Sequence, residues 1–131
     1  MTRSLLFVTG TRADFGKLEP LAVAAQDAGF RVSFFVTGMH MMDRYGRTKI
    51  EVHRLAGVEV FEFLNQRESD PQDMILAKTV VGFSDFLAEH RPDLVIVHEW
   101  NDPALAATLG RARLQGARFK LLFHDTHHRA V

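Results

Sequence analysis

The sequence predicts an α/β fold, a doubly wound parallel sheet in strand order 3-2-1-4-5 with helices on both faces. Two observations carry this. Short apolar runs alternate with longer amphipathic stretches along the chain, and the first two runs each end in a Thr-Gly pair, Thr9-Gly10 and Thr37-Gly38. Continuous apolar runs mark strands buried on both faces, as parallel sheets require. Glycine after such a strand permits the tight turn into a crossover helix.

The elements follow in order. Residues 4–8 form the first strand. Residues 14–28 form a helix with Leu18, Leu21, Ala22 and Ala25 on one stripe, closed by Gly29. The second strand is 31–36, a helix is expected near 46–56 with Gly57 as its stop, and 58–63 is the third strand. After a polar loop at 64–70, Asp70 reads as an N-cap, Pro71 as the first helical position and Asp73 as a favourable first-turn acid. The helix that follows sets Ile75, Thr79, Phe83, Phe86 and Leu87 near one face. Strand four is 93–97, Asp102-Pro103 opens a last helix stopped by Gly116, and strand five is 119–123. No repeat, low-complexity tract or linker interrupts this, so residues 1–131 read as one domain.

Composition narrows the function. The chain has no cysteine, which excludes a disulfide scaffold, a thiolate zinc site and a cysteine nucleophile. Lys plus Arg and Asp plus Glu number 16 each, so the basic excess of a nucleic-acid-binding module is absent. No run approaches the roughly 18 apolar residues of a membrane span. The Leu5-Leu6-Phe7-Val8 run is too short for a signal peptide core and no small-residue cleavage site follows, so a cytoplasmic protein is expected.

Four polar clusters fall at the carboxyl ends of the strands, where α/β sheets bind ligands. The first is Thr9-Gly10-Thr11-Arg12-Ala13-Asp14-Phe15-Gly16-Lys17, a glycine turn and helix N-terminus offering N–H groups to an anion. Arg12 and Lys17 add charge for a phosphate, and a plain turn with two solvated cations is the alternative. It is neither the dinucleotide glycine fingerprint nor a P-loop. The second is Thr37-Gly38-Met39-His40, followed by Tyr45-Gly46-Arg47-Thr48; its histidine lies where a ligand would sit, though the methionines also suit an ordinary packed loop. In the third, His98-Glu99-Trp100-Asn101-Asp102, a histidine beside a carboxylate has general-base chemistry, so His98 and Glu99 are the catalytic candidates. Asp102 is already explained as a helix cap. The fourth, His124-Asp125-Thr126-His127-His128-Arg129, has donors for zinc or nickel, but its spacing matches no closed zinc motif. Imidazoles beside a sugar or diphosphate and a solvated tail are the other readings, so no metal and no cofactor is assigned. His53 and His90 lie in helices and read as surface residues.

The stretch Phe7-Val8-Thr9-Gly10-Thr11-Arg12-Ala13-Asp14-Phe15-Gly16-Lys17-Leu18 resembles the opening of the hydrolysing UDP-N-acetylglucosamine 2-epimerases. The likeness continues through Phe35-Val36-Thr37-Gly38-Met39-His40, Tyr45-Gly46-Arg47-Thr48, Ile75-Leu76-Ala77-Lys78-Thr79-Val80-Val81-Gly82-Phe83-Ser84-Asp85 and Pro92-Asp93-Leu94-Val95-Ile96-Val97-His98. It implies the Rossmann-like N-terminal half of a GT-B-type fold, with the nucleotide sugar in a cleft against a C-terminal domain. The implied reaction eliminates UDP across C1–C2 of the sugar and adds water to the glycal. This releases N-acetylmannosamine for sialic-acid-type synthesis. The resemblance implies nucleotide or diphosphate contacts for Arg12 and Lys17 and sets His40 at the loop histidine after the second strand; Gly10, Asp14 and His124, at the same strand ends, complete the expected substrate- and nucleotide-binding set.

From residue 98 the pattern departs. Where the family carries His-Gly-Asp-Arg, this chain has His98-Glu99-Trp100-Asn101, so Trp100 replaces a catalytic Asp. Residues 98–131 look more like the N-terminal half of bacterial GT-B-type glycosyltransferases. The expectation is therefore a fragment or chimera that lacks the C-terminal nucleotide-binding domain and is inactive alone. Its alternatives are the same half of a glycosyltransferase, or a non-catalytic Rossmann-like domain. The fifth strand, as a sheet edge, is expected to invite self-association.

Overall fold

The computed structural model describes residues 2–10, 12–38, 49–65, 67, 69–98, 106–107, 110 and 121–124, with the side chains of 12–14, 98 and 121–124 excepted. Five parallel strands, β1 (Ser4–Thr9), β2 (Arg31–Val36), β3 (Glu59–Glu62), β4 (Leu94–His98) and β5 (Leu121–His124), form one sheet in the order β3-β2-β1-β4-β5. This is the expected order. The helices are α1 (Arg12–Asp27), α2 (Lys49–His53) and α3 (Gln72–His90).

Side chains alternate across a strand, so each buried strand feeds two cores. On one face Leu5, Phe7, Val32, Phe34, Val36 and Ile96 pack with Phe15, Leu18 and Ala22 of α1 and Val52 of α2. Phe34 is fully buried there, its ring 5.2 Å from Phe7 and 5.5 Å from Phe15. On the other face Leu6, Val8, Phe35, Val95 and Val97 pack with Phe83 and Leu87 of α3 and with Ala107. The α1 stripe predicted from spacing is the one found, with Leu21 and Ala25 at its margin.

Most strand boundaries shift by one or two residues, and three features of the helices differ from expectation. Helix α1 starts at Arg12, because the turn at Gly10 is short enough for the helix to begin almost at once. It closes as expected at Gly29 (φ +94°), where Gly29 N–H donates to Gln26 O at 2.9 Å and Phe30 N–H to Ala25 O at 3.0 Å, a Schellman closure. Helix α2 is short: Leu55 N–H donates three residues back to Val52 O at 3.1 Å, which tightens the last turn before Gly57 (φ +77°). Asp70 does not cap α3. The N-cap is Pro71, with no side-chain cap bond. The Asp70 carboxylate instead accepts from Lys78 Nζ at 2.6 Å and from Arg67 N–H at 2.9 Å. A full cation two turns into α3 outcompetes the partial charge of the helix end, and these two bonds, Lys78 first, hold its pKa below the ordinary aspartate value. The expected helix at 102–116 is described only as helical backbone at 106, 107 and 110.

Candidate functional site at the carboxyl edge

Among the described residues, the buried polar side chains are Thr9, Thr37, Asn65 and Thr79. All four lie where β1, β2 and β3 end and α3 begins, at the edge that parallel α/β sheets use for ligands. Thr37 N–H donates to Thr9 O at 3.0 Å, which extends the β1–β2 ladder one step past β2. Gly38 N–H then donates to Asn65 Oδ1 at 3.0 Å. Asn65 Nδ2 donates to Thr79 Oγ1 at 2.8 Å, and that hydroxyl donates to Ile75 O at 2.6 Å. One amide thus ties the loop after β2 to the first turns of α3.

Gly38 has φ +63°, and a Cβ placed on it would lie 2.9 Å from Gly10 O and 3.2 Å from Gly10 Cα. The two Thr-Gly turns therefore touch backbone to backbone. Such an approach admits only glycine, and it joins the first two sequence clusters into one site. Thr37 Oγ1 is buried here without a hydrogen-bond partner among the described residues. Buried hydroxyls are almost always paired, so an orphan at a ligand edge marks a place for a polar partner.

Of the sequence-predicted residues, Gly10 is placed at this edge by β1. Arg12 is the first residue of α1 and Asp14 lies in its first turn, their side chains outside the described set. Lys17 is exposed, five positions along α1 and so about 7.5 Å up its axis. The backbone of His98 pairs with that of His124 at the ends of β4 and β5, level with the end of β1, since Val8 pairs with Val97. His40 and Glu99 lie outside the described residues, as do 39–48 and 125–131. Asn65 was missed by sequence reasoning, which saw only a polar loop. The signal was Thr79, a hydroxyl in the middle of an apolar helix stripe, whose O–H is satisfied by Ile75 O within α3 but whose lone pairs can still accept from another element.

A second polar anchor holds the neighbouring helix. Glu62 at the end of β3 receives Lys49 Nζ at 2.7 Å on one carboxylate oxygen and lies 2.6 Å from His53 Nε2 with the other. The Lys49 bond is the main cause of a Glu62 pKa below the ordinary glutamate value, opposed by partial burial and aided by His53. A carboxylate depressed on folding contributes stability that is present above its unfolded pKa and lost as pH falls through the folded one. Glu62→Gln is therefore expected to flatten the acid limb of a stability-versus-pH curve below the ordinary glutamate range. Urea midpoints of both proteins across that range measure it, and parallel curves would refute it.

Helix α2 also walls a cleft of about 340 Å³, lined by Phe15, Gly16, Glu19, Glu51 and Arg54. Among the described residues no His, Asp and Glu side chains gather into a metal-binding group, and no helix is long and apolar enough to cross a membrane.

Comparison with known proteins decides the lineage. The family profile for UDP-N-acetylglucosamine 2-epimerase matches residues 22–111. The chain belongs to the UDP-N-acetylglucosamine 2-epimerase family. Within that family it is 41% identical over 105 residues to the UDP-N-acetylglucosamine 2-epimerase of Neisseria meningitidis serogroup B, covering 79% of this chain and 28% of that protein. It is 30% identical over 119 residues to the hydrolysing UDP-N,N'-diacetylbacillosamine 2-epimerase of Legionella pneumophila, covering 87% of this chain and 31% of that protein. The chain thus spans less than a third of the length of these relatives.

The epimerase fold is shared more widely than the sequence. The UDP-GlcNAc 2-epimerase structure from Methanocaldococcus jannaschii superposes with TM-score 0.70 at 17% identity, over 97% of this chain and 32% of that one. The Neisseria meningitidis enzyme bound to UDP-GlcNAc gives TM-score 0.67 at 19% identity, over 91% of this chain and 31% of that one. Acinetobacter baumannii MurG gives 0.64 at 15%, over 95% of this chain and 35% of that one. The fold is the Rossmann-like half of a GT-B-type enzyme, and epimerases and MurG share it. The family match runs to residue 111, past the departure at Glu99-Trp100.

Proposed function

We propose that this chain is the first domain of a hydrolysing UDP-N-acetylglucosamine 2-epimerase, converting UDP-GlcNAc and water to N-acetylmannosamine and UDP. The family match carries the reading, and the buried polar edge supplies a place for the ligand. The contact between the Gly10 and Gly38 turns sets the two loops side by side at this edge, and the Thr37 hydroxyl, unpaired among the described residues, supports a polar contact there. In this reading a diphosphate takes N–H groups at the start of α1 with Arg12, Asp14 and Lys17 around it. His40 and His124 contribute to substrate or nucleotide binding, and His98 and Glu99 are the proton-transfer groups at the sugar. The C2 proton leaves to a base as the C1–oxygen bond breaks, UDP departs, and water then adds hydroxyl at C1 and a proton at C2.

A second domain closes over the edge and holds most of the nucleotide; the relatives' greater length supports this. Trp100 cannot accept a proton, so the 131-residue chain is expected to release no measurable N-acetylmannosamine. A cytoplasmic enzyme feeding sialic-acid-type synthesis fits this reading. The departures at Glu99 and Trp100, with the MurG likeness in fold, favour a glycosyltransferase half as the second reading.

NMR titration with UDP tests the site. Charge-assisted bonds are worth about 1.5–3 kcal/mol each, but most of the ligand stays in water without a second domain. Millimolar affinity is therefore expected, near roughly −4 kcal/mol. Shifts should centre on residues 10–17, Arg12→Ala should weaken binding, and His98→Ala should leave it unchanged. Shifts confined to residues 98–102 and 124–129 would show the diphosphate site to be misplaced.

A further inference from the structure

The sheet face beneath α3 has a gap near its amino edge. Residues two apart on a strand share a face, and the register sets Ser4 beside Arg31, Leu6 beside Ser33 and Glu59, and Phe35 beside Phe61. Toward the carboxyl edge this face is filled by Phe35, Phe63 and Phe83. Toward the amino edge it carries Ser33, where every other interior position of β2 is Val or Phe. A cavity of about 220 Å³ results. Leu6 and Ser33 form its floor, and its wall is made of rings. Phe86 lies edge-on to Phe61 at 4.9 Å, and His90 stacks on Phe86 at 4.0 Å and sits 4.7 Å from Phe61. A carbonyl only accepts, so His90 Nδ1–H donates to Phe86 O at 3.2 Å, and this bond holds the imidazole in the stack.

Two opposite charges stand at the mouth. Arg31 and Glu59 both line it and are exposed, and neither has an ion-pair partner among the described residues. Glu59 pairs in register with Ser33, so Arg31 and Glu59 are two residues out of step on neighbouring strands, roughly 8 Å apart at Cα. We propose that this cavity is a binding site for a free aromatic amino acid. The ring enters against Phe61, Phe86 and His90, the carboxylate meets Arg31 and the ammonium meets Glu59. Both charges of an α-amino acid sit on one carbon, so both rim groups are met at once. A neutral ring leaves both unmet, and an anion or a cation alone meets one and is repelled by the other. An aromatic residue inside a peptide has lost both charges, which excludes a chain segment as the occupant. The volume is below the roughly 300–1,000 Å³ of sites for drug-sized ligands, which limits the occupant to a small molecule with one ring system. The cavity lies at the opposite end of the strands from the polar edge and stands whether or not that edge binds UDP.

Titration of L-phenylalanine into the 131-residue chain, followed by backbone amide NMR, tests it. Saturable shifts are expected at Ser33, Glu59, Phe61 and His90, with half-saturation in the millimolar range and residues 10–17 unmoved. N-acetyl-L-phenylalanine lacks the ammonium and L-phenylalaninamide lacks the carboxylate. Each should bind about two- to fivefold more weakly, as expected for the loss of one exposed ion pair. Arg31→Gln, at an exposed position, should weaken L-phenylalanine by a similar factor. Ser33→Val fills the floor of the cavity and should weaken it about tenfold or more. A β-branched residue suits a strand, so the urea midpoint of that variant should hold or rise, which separates lost binding from lost folding. Three results would each overturn the proposal: no saturable shift at those four residues, binding that survives Ser33→Val in a folded chain, or equal affinity for the three compounds. The last would mean that the cavity takes a ring without reading its charges. Because UDP is expected to shift residues 10–17, at the other edge, failure here and failure of the diphosphate site are separate outcomes.

Discussion

Asn65→Ala is expected to lower the stability of the domain by about 2–3 kcal/mol. The variant strands Gly38 N–H, which now donates to Asn65 Oδ1 at 3.0 Å, and takes the donor from Thr79 Oγ1 at 2.8 Å. A buried group left without its partner costs its desolvation, which exceeds the net worth of the bond. Thr79 retains its own bond to Ile75 O, so the larger loss falls on the Gly38 amide. Denaturant unfolding measures the total. Hydrogen exchange at Gly38 localises it, because that amide alone should lose its protection by more than its neighbours. In a double-mutant cycle, Thr79→Ala should cost less in the Asn65→Ala background than in the wild type, since the two share one network. Additive losses would mean that the amide acts independently of α3.

Gly38→Val should cost more, about 3 kcal/mol or above, through two separate effects. The residue sits at φ +63°, which a β-branched side chain tolerates poorly. Its Cβ would also press on backbone, 2.9 Å from Gly10 O, so the β1–α1 turn must move. Gly29→Ala separates the effects: its φ is +94°, but nothing lies within 4 Å of the added carbon. That variant should lose only about 1 kcal/mol. If Gly38→Val and Gly29→Ala prove equally mild, the two Thr-Gly turns are not in the contact described. Because the contact joins the two turns that form the ligand edge, Gly38→Val should also abolish the UDP-induced shifts at residues 10–17.

Part of the site was legible in the chain and part was not. Thr9-Gly10 and Thr37-Gly38 were visible because a glycine after an apolar run has few other uses. Asn65 was not, because nothing local distinguishes it from the polar residues around it; its partners are 27 residues back and 14 residues on. Asp70 misled for a related reason. Its position before Pro71 fits a cap, and only the folded chain shows that Lys78, one helix face away, takes the carboxylate first.

The order of elements, the strand sequence across the sheet and the stripes of α1 and α3 that face it were determined by the sequence alone. Their signals are continuous apolar runs for the strands and a period of about three and a half residues for the helices, which a chain carries locally, and the right-handed crossover then leaves few topologies. What only the tertiary structure decided is which polar groups meet: Gly38 with Asn65 and Thr79, Glu62 with Lys49 and His53, Asp70 with Lys78. A hydrogen bond or ion pair acts only within a few ångströms, and its partners are chosen by the register and packing of elements distant in sequence. Periodicity carries the burial of a residue; it does not carry the identity of its neighbour.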